Sequence, residues 1–473
     1  MEGQKEVLER LRRSFEGGRT RGAKYRRGQL EAVVKLIHDN EAAILEALHR
    51  DLRKPHFETV MSEIDITLNE ANFALNHLES WMQPEYVSKN LATKFDDCFI
   101  RKEPLGVVLI IGAWNYPLQV ILVPLVAAIA AGNCAILKPS EVSGATEKLL
   151  AELVPKYLDQ DCYAVLCGGA EETKDLLKNR FDHIFYTGSQ AVARHILLAA
   201  APHLTPVTLE LGGKSPCVLW GGLDIPSAAR RLAWAKFFNA GQSCVAPDYV
   251  LCHPKIVEPL LAALKVTLEE FYGAQPRESP HYGRMVADRH WDRVKGLLER
   301  SQGRVAIGGD SDKEDRYIAP TVLVDVDESD SLMEEEIFGP VLPILTIPSL
   351  DSAVDFINRK DKPLALYVFS ESSEVVTTVL ERASSGGFCS NDGMVQMTLP
   401  GLPFGGVGAS GMGRYHGRWG FDTFSHSRAV MLRGWGLERV NVLRYPPYTP
   451  PRLSWLRWAT TISRKDGWGC SVM

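Results

Sequence analysis

Cys244 closes the run Phe237-Phe238-Asn239-Ala240-Gly241-Gln242-Ser243-Cys244, a cysteine preceded by small and amide-bearing residues. Small neighbours let the backbone come close to a substrate, and a thiol so placed can act as a nucleophile. A lone cysteine is more often a small buried hydrophobe, so its company decides. Glu210 follows the apolar run 207–209 and precedes Leu211-Gly212-Gly213-Lys214. A carboxylate there would face a crevice between two α/β domains, although alone it reads equally as a surface residue or a cap. Asn115, in Trp114-Asn115-Tyr116-Pro117, follows a β-branched run. Its amide could serve an oxyanion, or simply fill a turn before proline.

A second set suits a dinucleotide. Lys138-Pro139-Ser140-Glu141 ends a buried run, and charged groups at the carboxyl ends of parallel strands line ligand crevices. Thr187-Gly188-Ser189 separates strand-like 184–186 from helix-like Gln190–Ala200, leaving free N–H groups for a phosphate. Glu336-Ile337-Phe338-Gly339-Pro340 pairs a carboxylate with an aromatic plate, apt for ribose hydroxyls and a nicotinamide ring. Glu334 and Glu335 beside it could equally form a solvated acidic run.

Such residues need elements to hold them. The first eighty residues read as amphipathic helices, with Leu30, Val33, Val34 and Ile37, then Ile44, Leu45 and Leu48, at helical spacing. From about residue 105 strands and helices alternate: Val107–Ile111, 134–137, 164–166 and 184–186. A second alternating set follows Gly213, with 217–220, Tyr249–Cys252, 305–307, 322–324 and 342–346 as strand candidates. Alternation of this kind predicts parallel sheets with helices on both faces. The fold class is therefore α/β with two such domains, and the length of 473 residues, too great for one core, leads one to expect two or three domains. The apolar tract 105–137 invites a membrane reading. Asn115, Pro117, Gln119, Pro124 and Asn133 interrupt it, which favours a buried strand, a turn and a buried helix.

Bulk properties exclude several classes. A net charge of −5 leaves no electrostatic footprint for nucleic acid. Nine scattered cysteines without paired CxxC motifs argue against a disulfide framework or a zinc site. The first six residues lack the apolar core of a signal peptide.

Taken in order, Trp114-Asn115-Tyr116-Pro117, 138–141, 187–189, 210–214, 241–244, 336–340 and Phe404-Gly405-Gly406-Val407-Gly408 resemble the aldehyde dehydrogenase superfamily over about residues 1–430. Lys214-Ser215-Pro216-Cys217, Cys244-Val245-Ala246-Pro247-Asp248-Tyr249 and Gly411-Met412-Gly413-Arg414-Tyr415-His416-Gly417 make it most similar to the class 3 branch and its lipid-anchored, 3B-like subgroup. The resemblance implies a Rossmann-type cofactor domain (1–82 and 103–211), an α/β catalytic domain (212–400) and a small β oligomerisation arm (83–102 and 401–430). A basic tail (431–473) follows. It implies Cys244 as nucleophile, Glu210 as general base and Asn115 as oxyanion donor. It implies Lys138 and Glu141 near the adenosine ribose, Gly188 and Ser189 at the pyrophosphate, and Glu336 and Phe338 at the nicotinamide riboside. Ala193 stands where the family usually has glycine, which leaves the phosphate-facing N–H groups available. The Trp220-Gly221-Gly222 segment replaces a more acidic stretch.

The activity so implied is oxidation of medium- to long-chain aliphatic aldehydes to acids with NAD, NADP being possible, through a cysteine thioester hydrolysed by a Glu210-activated water. A relative that transfers the acyl group to coenzyme A, or reduces acyl phosphates, would not need that base. A binding protein that had kept the fold and lost activity should have damaged Cys244, Glu210 or Asn115. A homodimer is expected from the same resemblance.

The last four residues, Cys470-Ser471-Val472-Met473, form a prenylation pattern. From Arg433 to Asp466 the tail holds seven basic residues against two acidic, and Trp455, Trp458 and Ile462 would share a helical face. One lipid chain binds membranes only marginally, so these would supply the second signal. The expectation is a protein at the cytoplasmic face of a membrane or a lipid droplet, cytosolic if unlipidated.

Overall fold

Apolar runs with no alternation bury both faces of a strand, and Val107–Ile111 and Cys134–Lys138 are buried at every position. The computed structural model describes residues 3–462 and residue 464. They form two compact units: the chain to Leu78 with Pro104–Phe424, and Glu79–Glu103 with the chain from Ser425.

The larger unit contains two mainly parallel sheets. The first has the order Gly411–Met412, Val207–Leu211, His183–Gly188, Val107–Ile111, Cys134–Lys138, Tyr163–Val165. Only the Gly411–Met412 pairing is antiparallel. Chain direction across the sheet reverses between Val107–Ile111 and His183–Gly188, the switch point at which such sheets bind ligands. The second sheet runs Arg304–Ile307, Thr321–Val324, Val341–Thr346, Tyr249–Cys252, Pro216–Leu219, Ala365–Phe369, Gly387–Ser390, with the first strand antiparallel. The change of sheet falls between Leu211 and Pro216.

Helix Gln119–Ala131 is buried at all thirteen positions, so the tract 105–137 is strand, turn, helix and strand within a core. Among the described residues no helix is long and apolar enough to cross a membrane.

Three expectations need correction. Strands Ala365–Phe369 and Gly387–Ser390 were not read from the sequence. Residues 401–424 belong to the larger unit rather than to the arm. Gly411 pairs with Glu210, and Tyr415 and Phe424 pack on Phe185 with ring centroids 5.1 and 5.8 Å away. The smaller unit instead builds its sheet from Glu85–Tyr86, Asp97–Pro104 and Ser425–Leu432. Its tail is tied down by Arg433, which pairs with Asp96 at 2.8 Å and donates to the Ala92 carbonyl. Finally, the tail helix is Pro450–Thr460, which puts Ile462 beyond its end.

Candidate active site

Glu210 lies in the strand Val207–Leu211, opposite Thr187 on the neighbouring strand. It is buried, and neither carboxylate oxygen has a hydrogen-bond partner. Burial alone pushes its carboxyl well above the usual range, because nothing offsets desolvation of the charged form. The Thr187 hydroxyl is likewise buried and unpartnered. Orphaned buried polar atoms are uncommon in folded proteins and point to a missing water or ligand.

Cys244 ends a loop in an unusual conformation. Asn239, Ala240 and Gly241 have φ of 53°, 52° and 73°, a left-handed run that non-glycine residues adopt only when the surroundings compel it. A Cβ on Gly241 would lie 2.3 Å from the Gly339 carbonyl oxygen, so only glycine fits there. Gln242 holds the loop: its Nε2 donates to the Asn239 and Arg284 carbonyls, and its Oε1 accepts from Val286 N–H at 3.0 Å. Tyr367 secures the other side by donating to the Val245 carbonyl at 2.6 Å.

The Asn115 amide reaches this loop and donates to the Gln242 carbonyl at 3.2 Å. Burial, then the charges of Glu336 and Glu210, push the Cys244 thiol up to about 12, against the backbone N–H groups of Cys244 and Val245. Cys244, Glu210, Asn115 and Glu336 are thereby gathered at one place, although they come from four separate stretches of chain.

Glu336 approaches over Gly212, where a Cβ would lie 2.1 Å from its Oε2. Burial first, then Asp248, push its carboxyl up to about 8; the Gly213 N–H and the charges of Lys214 and Arg293 act in the opposite direction. Lys214 Nζ pairs with Asp248 at 2.6 Å and donates to the Leu332 and Glu335 carbonyls, fixing the segment that carries Glu336. Phe338 meets Trp114 edge-on, centroids 5.3 Å apart.

The remaining candidates lie at the carboxyl ends of neighbouring strands. Lys138 is buried, donates to the Pro139 carbonyl and lies 3.7 Å from the exposed Glu141. Gly188 ends its strand, and Ser189 caps helix Gln190–Ala200 by accepting from Val192 N–H. Ala193 is buried on that helix. Cys470 lies outside the described residues. Among the described residues no group of three His, Cys, Asp or Glu side chains is placed to hold a metal ion.

The unpartnered Glu210 and Thr187 oxygens, the glycine cradle under Glu336 and the helix N-terminus at Ser189 together fit the demands of a nicotinamide dinucleotide. The model of the aldehyde dehydrogenase family matches residues 4–430. This chain belongs to the aldehyde dehydrogenase family. It is 55% identical over 468 residues to human aldehyde dehydrogenase family 3 member B1, covering 99% of each chain, and so falls in the class 3, 3B-like branch. Its fold is that of a Staphylococcus aureus AldH solved in a substrate-bound state, with a TM-score of 0.94, 42% identity, and coverage of 97% of this chain and 99% of the other. A Mycobacterium tuberculosis aldehyde dehydrogenase complexed with NAD+ matches with a TM-score of 0.82 and 26% identity over 92% of each chain. This aldehyde dehydrogenase oxidises aldehydes to acids with NAD, NADP being possible within the family.

Sequence reasoning missed several residues around the site. Gln242, Tyr367 and the Lys214–Asp248 pair hold its loops. His416 has φ 77° and its Nδ1 lies 2.6 Å from Glu70 Oε1. Gln242, Lys214, Asp248 and His416 fell within quoted motifs, but nothing local told which atoms they hold.

Proposed function

We propose that Cys244 is the nucleophile of this aldehyde dehydrogenase, Asn115 its oxyanion donor and Glu210 the base that hydrolyses the acyl-enzyme. The observation that carries this reading is a buried carboxylate with both oxygens unpartnered, beside a cysteine whose loop is held by the Asn115 amide. The Cys244 sulfur adds to the aldehyde carbon as its proton leaves to solvent. The tetrahedral alkoxide is held by the Asn115 amide and the Cys244 N–H; one such donor typically contributes about 2.7–4 kcal/mol. A nicotinamide dinucleotide bound at this site would supply the acceptor for the hydride lost from this carbon. The acyl group stays on Cys244 as a thioester. Glu210 then takes a proton from water, the hydroxide adds to the thioester carbonyl, and the carboxylic acid departs as the thiolate is released. A base at this position supports hydrolysis over transfer to coenzyme A.

Glu336 and Phe338 would hold the nicotinamide riboside, Lys138 and Glu141 the adenosine ribose, and Gly188 and Ser189 the pyrophosphate, with Ala193 packed beneath. The substrates are medium- to long-chain aliphatic aldehydes derived from lipids. Octanal and hexadecanal should give kcat/KM at least about tenfold above benzaldehyde, since each apolar contact of methylene size contributes roughly 1–3 kcal/mol to discrimination. A ranking led by benzaldehyde would overturn the substrate assignment while leaving the chemistry.

The proposal extends to a homodimer at the cytoplasmic face of a membrane (plasma membrane, endoplasmic reticulum or lipid droplet), anchored by a prenyl group on Cys470. It is supported by Trp455 and Trp458, exposed on the tail helix with rings 5.8 Å apart, and by the exposed Ile462 near basic residues. A Cys470→Ser variant should move from the membrane to the soluble fraction of cells, because aromatic and basic contacts alone hold weakly. Undiminished sedimentation with membranes would remove the prenyl anchor from the proposal.

A further inference from the structure

Lys54, Glu58 and Glu63 lie outside every motif considered above, yet all three are buried in the larger unit. Lys54 precedes the short helix His56–Thr59, and a π-turn, Val60–Ile64, continues that helix. Such turns are frequent at functional sites. Glu63 Oε1 lies 2.7 Å from Lys54 Nζ, and both side chains are fully enclosed. Glu63 Oε2 accepts from the N–H groups of Leu118 and Gln119, at 2.9 and 3.0 Å, where helix Gln119–Ala131 begins just past Asn115. Lys54 Nζ stands 4.0 Å over the ring of Tyr116.

Glu58 reaches the opposite way. Its Oε2 accepts from the Asn239 N–H at 2.9 Å, at the start of the left-handed run that leads to Cys244. The Asn239 side chain then donates to the Asn115 carbonyl at 2.9 Å and to the Gln242 carbonyl at 3.1 Å. One short segment thus grips two loops, one carrying Asn115 and the other Cys244. Burying three ionisable groups is expensive, and well-packed apolar residues commonly match or exceed the stability of a buried ion pair. Stability alone does not account for these groups.

We propose that Lys54, Glu58 and Glu63 form a clamp that sets the position of the Asn115 amide relative to the Cys244 sulfur, with Glu58 the positioning residue on the cysteine side. This rests on the roles given above to Asn115 and Cys244. The clamp touches neither substrate nor cofactor. It acts through the strained loop, which would relax to ordinary backbone angles without the Glu58 acceptor.

The test compares full-length Glu58→Ala, Glu58→Gln, Asn115→Ala and the double variant Glu58→Ala/Asn115→Ala, with kcat expressed per site titrated by burst. Glu58→Ala should lower kcat about 10- to 100-fold, the size expected for roughly 1 Å of misplacement, with the KM for NAD within about twofold. Glu58→Gln, whose amide oxygen can still accept from Asn239, should recover to within about threefold. In the Asn115→Ala background Glu58→Ala should cost less than about threefold, because the geometry it maintains no longer matters. A merely structural glutamate would give additive losses. Wild-type kcat in Glu58→Ala, or a full loss in the Asn115→Ala background, would overturn the clamp. Should Glu58→Ala not fold, Asn239→Gly decides. Glycine keeps the left-handed backbone but deletes the side-chain bridge, so the same kcat loss is expected and wild-type kcat overturns the proposal. Turnover persisting in Cys244→Ser would instead overturn the underlying site assignment.

Discussion

Cys244→Ser is expected to lower steady-state NADH formation by about four orders of magnitude or more, with no burst on rapid mixing. Serine is nearly isosteric, so the melting temperature and the affinity for NAD should stay close to those of the wild type. The expected loss comes from the nucleophile itself. Hydride cannot leave until an adduct forms at the carbonyl carbon, and an alcohol ionises far less readily than a thiol. The site aggravates the difference: burial and the neighbouring Glu336 and Glu210 already push the thiol up to about 12. A hydroxyl at the same position would meet the same burial and the same neighbouring carboxylates, which oppose formation of an anion. Losses of this order accompany removal of a covalent nucleophile elsewhere. Residual turnover above about 1% of wild type would place the nucleophile on another residue.

Glu210→Gln should behave differently, and the contrast separates the two roles. One equivalent of NADH per site should still form in a burst. Steady-state kcat should then fall about 10²- to 10⁴-fold, the usual worth of a general base. The thioester would accumulate on Cys244, adding the acyl mass to the intact protein. Glutamine preserves size and leaves the loops unchanged, so stability should hold or rise, since a buried carboxyl with both oxygens unpartnered is removed. The pH dependence follows from the same burial. Glu210 is held well above the usual carboxylate range, so its base form is scarce at low pH and grows as pH rises. Deacylation in the wild type should therefore rise with pH along a limb displaced upward from that of an ordinary glutamate, and Glu210→Gln should lack that limb. Loss of the burst in Glu210→Gln would mean that Glu210 is needed before hydride transfer, contrary to the sequence of steps proposed.

Much of this protein is legible in its sequence. Hydrophobic runs such as Val107–Ile111 and Tyr249–Cys252 announce parallel strands, because a strand buried on both faces has no polar alternation to disguise it. The polar and proline residues within 105–137 distinguish a core helix from a membrane span for the same local reason. Residues such as Asn115, Lys138, Glu210 and Cys244 were identifiable because each sits beside a turn whose chemistry is written in its immediate neighbours. Local spacing has no access to what packs against what. Strand Ala365–Phe369 is central to its sheet only because Pro216–Leu219 and Gly387–Ser390 lie beside it. Residues 401–424 joined the larger unit through a pairing of Gly411 with Glu210, 201 positions apart in the chain. Glu58 lies in a stretch that reads as an ordinary helix face, and its partner, the Asn239 N–H, is 181 residues away. The sequence by itself determined the family of chemistry, the residues proposed for the reacting centre and most of the strands. Tertiary structure alone decided which loops those residues share, which carboxylates are stripped of water, and what holds the cysteine and the amide in register, because burial and long-range hydrogen bonding exist only once distant segments have packed together.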